Sequence, residues 1–216
     1  MEPKILILGP PGAGKGTQSG RIAEEYGVEH VTTGEALRAN KDMDISDMDT
    51  EHDTPRAYME AGDLVPDQVV DAIVEEAVSE AEGFVLDGYP RNLTQAETLA
   101  DVADLDVVLA LEVSREELIE RLTGRRVCDD CGRNHHVDFD PPEQEGVCDG
   151  CGGDLVQRED DRREAVENRL DVFADNTAPV VDYYRDHEGF VAVDGEQPPE
   201  DVWADIRAAI DGRVPN

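Results

Sequence analysis

The chain has 216 residues, enough to bury a core in one domain of ordinary size. Its 52 acidic against 19 basic side chains give a formal net charge of −33, which repels nucleic acid and anionic membrane surfaces alike. No apolar run approaches the ~20 residues of a membrane span, and the first strand-like residues begin at Lys4, too early for a leader segment, so a cytoplasmic protein is expected.

Residues 4 to 8 (KILIL) form a continuous apolar run, followed by a Gly/Pro-rich turn and a helical pattern from Thr17 to Tyr26. In that setting Gly9-Pro10-Pro11-Gly12-Ala13-Gly14-Lys15-Gly16-Thr17 reads as a phosphate cradle. Glycines let backbone N–H groups turn inward around an anion, the helix start adds partial positive charge, and Lys15 can follow a phosphoryl group as it moves. The residue after Lys15 is Gly16, so the hydroxyl of the general pattern comes one place late, at Thr17.

Further buried strands are expected at Val28 to Val31, Phe84 to Leu86, Val107 to Val113 and Phe190 to Val193, spaced by helices long enough for parallel crossovers. The expected fold is α/β, a doubly wound parallel sheet flanked by helices. Ser114 and Glu117 have the spacing of a capping box at the head of a helix reaching about Gly124. Pro199 suits the first turn of a last helix carrying Val202, Ile206 and Ile210.

Two stretches, Asn40 to Asp53 and about Val127 to Asp161, lack strand-helix alternation and read as insertions above the sheet. In the second, Cys128-x2-Cys131 and Cys148-x2-Cys151 stand 16 residues apart, the spacing of a tetrahedral zinc site built from two tight turns. Disulfides are the competing reading, disfavoured in a reducing compartment. His135 or His136 could replace a thiolate, but four sulfurs already close a structural shell, so the metal is expected to hold a small lid together rather than to take part in catalysis.

Asp87 ends the apolar run FVLD, where a strand-end carboxylate beside a phosphate cradle can hold Mg2+ through water; capping the next turn is the alternative. Only three lysines occur, so phosphate chemistry must rest on Lys15 and on arginines. Arg121 and Arg125 stand four apart at an expected helix end, hence on one face, either converging on a polyphosphate or pairing with surface acids.

GPPGAGKGTQ from Gly9 to Gln18, TTGEALR from Thr32 to Arg38 and LDGYPRNLTQAE from Leu86 to Glu97 resemble the adenylate kinase family. The resemblance runs almost end to end, through GDLV at Gly62 to Val65, RLTGRR at Arg121 to Arg126, VQREDD at Val156 to Asp161 and TAP at 177 to 179. It implies Mg-dependent transfer, ATP + AMP = 2 ADP, by a monomer with ATP, AMP and ADP as its partners and a structural Zn2+ in a Cys-rich lid. Another acceptor, UMP, CMP or GMP, is the alternative. It further implies a core at residues 1–31, 67–124 and 163–216, a monophosphate-binding insertion at 32–66 and a zinc-binding lid at 125–162.

By the same resemblance, Gly12, Ala13, Gly14, Lys15, Gly16 and Thr17 bind ATP together with Arg121, Arg125, Asn134, His135 and Gln197. Thr33, Arg38, Asp63, Leu64, Val65, Gly88, Tyr89, Pro90, Arg91, Gln95, Arg158 and Arg169 surround AMP. Lys15, Asp87, Arg91, Arg125, Arg158 and Arg169 carry the catalytic roles. The family often has an aromatic where this chain has His135.

The side-chain chemistry fits independently. Arg38 and Arg91 can fork onto a phosphate, and the Gln95 amide offers a donor and an acceptor to an adenine edge, which favours AMP over pyrimidine monophosphates. An ionised phosphate oxygen needs no general base to attack phosphorus, only alignment and charge neutralisation. A charge of −33 is mostly solvated surface whose self-repulsion salt must screen, so a halophilic source is expected.

Overall fold

The computed structural model describes residues 2–61 and 65–214. In chain order the strands are β1 (Lys4–Leu8), β2 (Glu29–Thr32), β3 (Phe84–Asp87), β4 (Val107–Glu112), β5 (Arg125–Cys128), β6 (Asn134–His136), β7 (Leu155–Val156) and β8 (Phe190–Asp194). The helices are α1 (Lys15–Tyr26), α2 (Thr33–Ala39), α3 (Pro55–Ala61), α4 (Asp67–Glu80), α5 (Leu93–Val102), α6 (Arg115–Gly124), α7 (Arg163–Val172), α8 (Ala178–Tyr184) and α9 (Pro199–Asp211).

Five strands form one parallel sheet in the order β2-β3-β1-β4-β8, with Leu6 of β1 between Leu86 and Val108. Both faces of β1 are covered, which is why its sequence is continuously apolar rather than alternating. Ile5 and Ile7 enter a core with Ile22, Leu109, Leu122 and Ile206; Leu6 and Leu8 enter another with Phe84, Leu86, Leu99 and Val180. Each such buried side chain contributes roughly 1.5–3 kcal/mol. Because β1 is central, the loop after Leu8 lies mid-way along the carboxyl edge of the sheet, where ligand crevices open. The four expected strands that follow β1 lie within one residue of β2, β3, β4 and β8 at each end.

The expected capping box at Ser114 does not form. Ser114 occupies the N-cap position of α6 without a side-chain bond, and Glu117 instead accepts from Arg121 Nε at 2.7 Å. A charged partner one turn on outcompetes a backbone N–H. A reciprocal cap does occur on α2, where Thr32 Oγ1 accepts from Glu35 N at 3.1 Å and donates to Glu35 Oε2 at 3.0 Å.

The acidic stretch from 40 to 53 is pinned by Ile45, which is buried with Tyr58, Val69 and Ile73. Tyr58 Oη accepts from Glu51 N at 2.7 Å and His52 N at 3.2 Å. The Cys-rich stretch forms an antiparallel ribbon, β6-β5-β7. A π-helical turn, Phe173–Thr177, joins α7 to α8 and lets Thr177 Oγ1 donate to Arg91 O at 2.9 Å. Among the described residues no helix is long and apolar enough to cross a membrane.

Candidate active site

The loop between β1 and α1 depends on its glycines. Gly12 has φ +87°, and a Cβ there would stand 2.9 Å from Leu122 Cγ; Gly14 has φ +92° at the N-cap of α1. Lys15 folds over this loop, its Nζ donating to Gly9 O at 2.8 Å and Pro10 O at 3.1 Å. Burial lowers the Lys15 pKa, while Asp87 opposes the shift. Burial likewise raises the Asp87 pKa against the pull of Lys15, His30 and Arg91. Asp87 Oδ2 also faces Gly16, 3.7 Å from where a Cβ would stand, an ordinary contact distance.

Two pairs of cavities meet at Lys15. On one side a cavity of about 340 Å³ is lined by Lys15, Gly16, Thr17, Asp87, Arg121, Arg125 and Asn134. It adjoins one of about 560 Å³ walled by Gln18, His136, Phe139, Gln197, Pro198 and Val202, the two sharing Gly12, Gly14, Thr17 and Arg121. On the other side Lys15 borders a cavity of about 350 Å³ with Gly88, Tyr89, Pro90, Arg91, Arg169 and Thr177. That one shares Tyr89 and Arg91 with a cavity of about 330 Å³ lined by Thr33, Leu37, Val65, Val70 and Gln95.

The arginines are held by carboxylates. Arg125 Nε and Nη2 donate to Asp161 Oδ2 and Oδ1 at 2.9 and 2.6 Å, and the Asp161 side chain is fully buried. Arg169 Nη1 lies 2.9 Å from Asp160 Oδ2 and 3.7 Å from Asp161 Oδ1. Arg121 donates to Glu117 and, through Nη1, to Gly195 O at 2.9 Å. The forked pair of Arg125 with Asp161 fixes a guanidinium plane beside the phosphate loop.

Several expectations need correction. Arg125 does not share a helix face with Arg121; it opens β5, yet both line the same cavity. Arg158 is exposed and lines none of the four cavities, and among the described residues no carboxylate pairs with it as Asp161 pairs with Arg125. Arg38 is also exposed and stays at the rim, its Nη1 3.3 Å from where a Gly34 Cβ would stand. Asn134, expected at ATP, lines the phosphate-loop cavity. Asp63 and Leu64 lie outside the described residues.

His135 is not at a nucleotide cavity. It is buried beside Cys148, with Asp140 and Asp149 carboxylates 4.0 Å from its Nδ1. Successive residues of a strand face opposite sides, so His136 takes the cavity position. Its ring stacks on Phe139 at 4.3 Å and 17°, and both line the 560 Å³ cavity, a wall that no sequence motif had marked. His136 Nδ1 accepts from Asp138 N and Phe139 N at 3.0 and 3.1 Å, which sets the proton on Nε2, 3.3 Å from Glu120 O.

Gln95 is buried against the 330 Å³ cavity, but both ends of its amide already have partners. Oε1 accepts from Arg91 N at 2.8 Å, and Nε2 donates to Asp71 Oδ1 at 2.9 Å.

The four cysteines are free thiols whose sulfurs all lie within 4.8 Å of one another, Cys128 to Cys151 at 3.4 Å and Cys131 to Cys148 at 3.6 Å. A tetrahedron with metal–sulfur bonds of about 2.3 Å has edges of roughly 3.8 Å, so the set fits a metal far better than disulfides of about 2.05 Å.

A central phosphate cradle on a parallel sheet, with nucleotide-sized cavities on both sides of its lysine, defines a P-loop nucleotide kinase. The adenylate kinase family model matches residues 7–189. The chain belongs to that family. It is similar to the adenylate kinases of Haloarcula marismortui (73% identity, 98% of both chains), Halobacterium salinarum (60%, 98% of both) and Natronomonas pharaonis (59%, 97% of this chain and 98% of the other). All three relatives come from halophiles, in keeping with the charge of −33.

Proposed function

We propose that this chain transfers the γ-phosphoryl group of ATP reversibly to AMP, giving two ADP, as a cytoplasmic monomer without nucleic-acid or membrane partners. The observation that carries the reading is the position of Lys15, where the two cavity pairs meet. ATP fits the pair walled by the stacked His136 and Phe139 and by Arg121 and Arg125. AMP fits the pair holding Arg91, Arg169, Thr33 and Gln95. Its ionised phosphate oxygen attacks in line, so the protein supplies alignment, charge and exclusion of water rather than a base.

The Thr17 hydroxyl and the Asp87 carboxylate are hard oxygen donors in the phosphate-loop cavity, the chemistry that Mg2+ takes with few protein ligands. Bound there with the nucleotide, Mg2+ would neutralise charge on the β- and γ-phosphates. The four cysteine thiolates would hold Zn2+ with no open position for substrate, and a metal held there would organise residues 125–162 as a lid. The insertion carrying α2 and α3 is the second moving part on this reading, and closure of both insertions over the nucleotides keeps water from the γ-phosphorus.

The test is ADP formation from ATP with AMP, GMP, UMP and CMP in turn. The reading expects AMP to be strongly preferred; equal or better turnover of another monophosphate would refute it.

A further inference from the structure

Gln95 holds a buried amide between two partners that cannot exchange roles. The backbone N–H of Arg91 only donates, so it selects Oε1, which it meets at 2.8 Å. The carboxylate of Asp71, reaching from α4 toward α5, only accepts when ionised, so it selects Nε2 at 2.9 Å. Turning the amide over would set N–H against N–H on one side and C=O against carboxylate on the other, both in a buried place where unmatched polar groups are costly.

An amide has two further valences, one hydrogen on Nε2 and one lone pair on Oε1. Among the described residues no other side chain or backbone group takes either, and Gln95 lines the 330 Å³ cavity. An adenine edge offers an acceptor ring nitrogen beside a donor amine; a 6-oxopurine edge offers a donor ring N–H beside an acceptor carbonyl. The two edges are mirror patterns. An amide free to turn over can satisfy either one, whereas an amide fixed in one sense can satisfy only one.

We propose that Asp71 is a specificity-determining positioning residue: by holding Gln95 Nε2 it fixes the sense of the amide and so excludes 6-oxopurine monophosphates from the acceptor cavity. The proposal rests on the reading that Gln95 meets the acceptor base. Asp71 touches no substrate and acts through Gln95. Tyr89 places its buried hydroxyl beside the same carboxylate, with no partner in hydrogen-bond geometry, so Asp71 stands where it can serve two buried donors of this wall.

The test compares AMP with inosine monophosphate, which has the 6-oxo edge without guanine's extra amine. The ratio of the two kcat/KM values is taken within one preparation, so it is independent of the folded fraction. Asp71→Asn can present either donor or acceptor, and Asp71→Leu presents neither; in both, the ratio falls about tenfold or more, set by the loss of one of two orienting bonds. Gln95→Ala is run beside them. If Gln95→Ala lowers the ratio while both Asp71 variants keep it, the role of Asp71 is overturned and the base reading stands. If Gln95→Ala also keeps it, the base reading fails and the proposal falls with it.

Discussion

Asp161 grips Arg125 at two points, Nε to Oδ2 at 2.9 Å and Nη2 to Oδ1 at 2.6 Å, and does so from a fully buried position. A guanidinium held this way needs little reorganisation when charge develops at the transferring phosphoryl group. Asp161→Asn keeps the shape and removes the charge. It should lower kcat by roughly ten- to a hundredfold, since one fixed donor is loosened rather than lost. It should also lower the thermal midpoint, because Arg125 loses its buried counter-charge. Steady-state kinetics and a thermal melt check both; unchanged kcat would remove Asp161 from the machinery.

Asp87 couples stability and activity in opposite senses. The fold raises its pKa, chiefly by burial. A carboxyl shifted upward stabilises the folded state while protonated, fully below its ordinary value of about 3.9, and loses that contribution as pH rises through the folded value. At pH 7 the ionised group therefore weakens the fold. Asp87→Asn is expected to raise the thermal midpoint at pH 7, with the gain vanishing below about pH 4, while Mg-dependent turnover drops at least about tenfold. A lower midpoint at pH 7 would show that the attraction between Asp87 and Lys15 outweighs burial.

The cysteine cluster should carry about one zinc per chain. Stripping it with a strong chelator is predicted to expose four reactive thiols and to speed amide exchange across residues 125–156, while β1 and β4 keep their protection. Thiols that stay unreactive after chelation would mean the ribbon holds without metal.

Salt should govern stability. With 52 acids and 19 bases, the surface repels itself, and ions at molar strength screen charges beyond ~3 Å. The urea midpoint is expected to climb steadily from dilute buffer to molar KCl. A flat profile would show that the acidic surface imposes no such requirement.

Much of the fold is legible because parallel strands buried on both faces leave unbroken apolar runs, as KILIL does at β1. The phosphate loop is legible for a different reason: Gly12 and Gly14 hold backbone conformations that other residues resist. The lid side of the site is less so. Asn134, His135 and His136 have no local pattern to say which ring faces the nucleotide, since that depends on pairing with β5. Arg125 and Arg158 look alike in sequence, and the fold alone shows that Arg125 is the one paired with the buried Asp161. Asp71 carries no motif at all; its role depends on how α4 and α5 pack.

The most direct test of the central claim, that guanidiniums around Lys15 drive phosphoryl transfer, is the turnover of Arg125→Ala with ATP and AMP, measured on protein whose fold is checked by circular dichroism. The account predicts a fall in kcat of roughly a hundred- to a thousandfold in a folded protein. Near-normal turnover in a folded variant would contradict it.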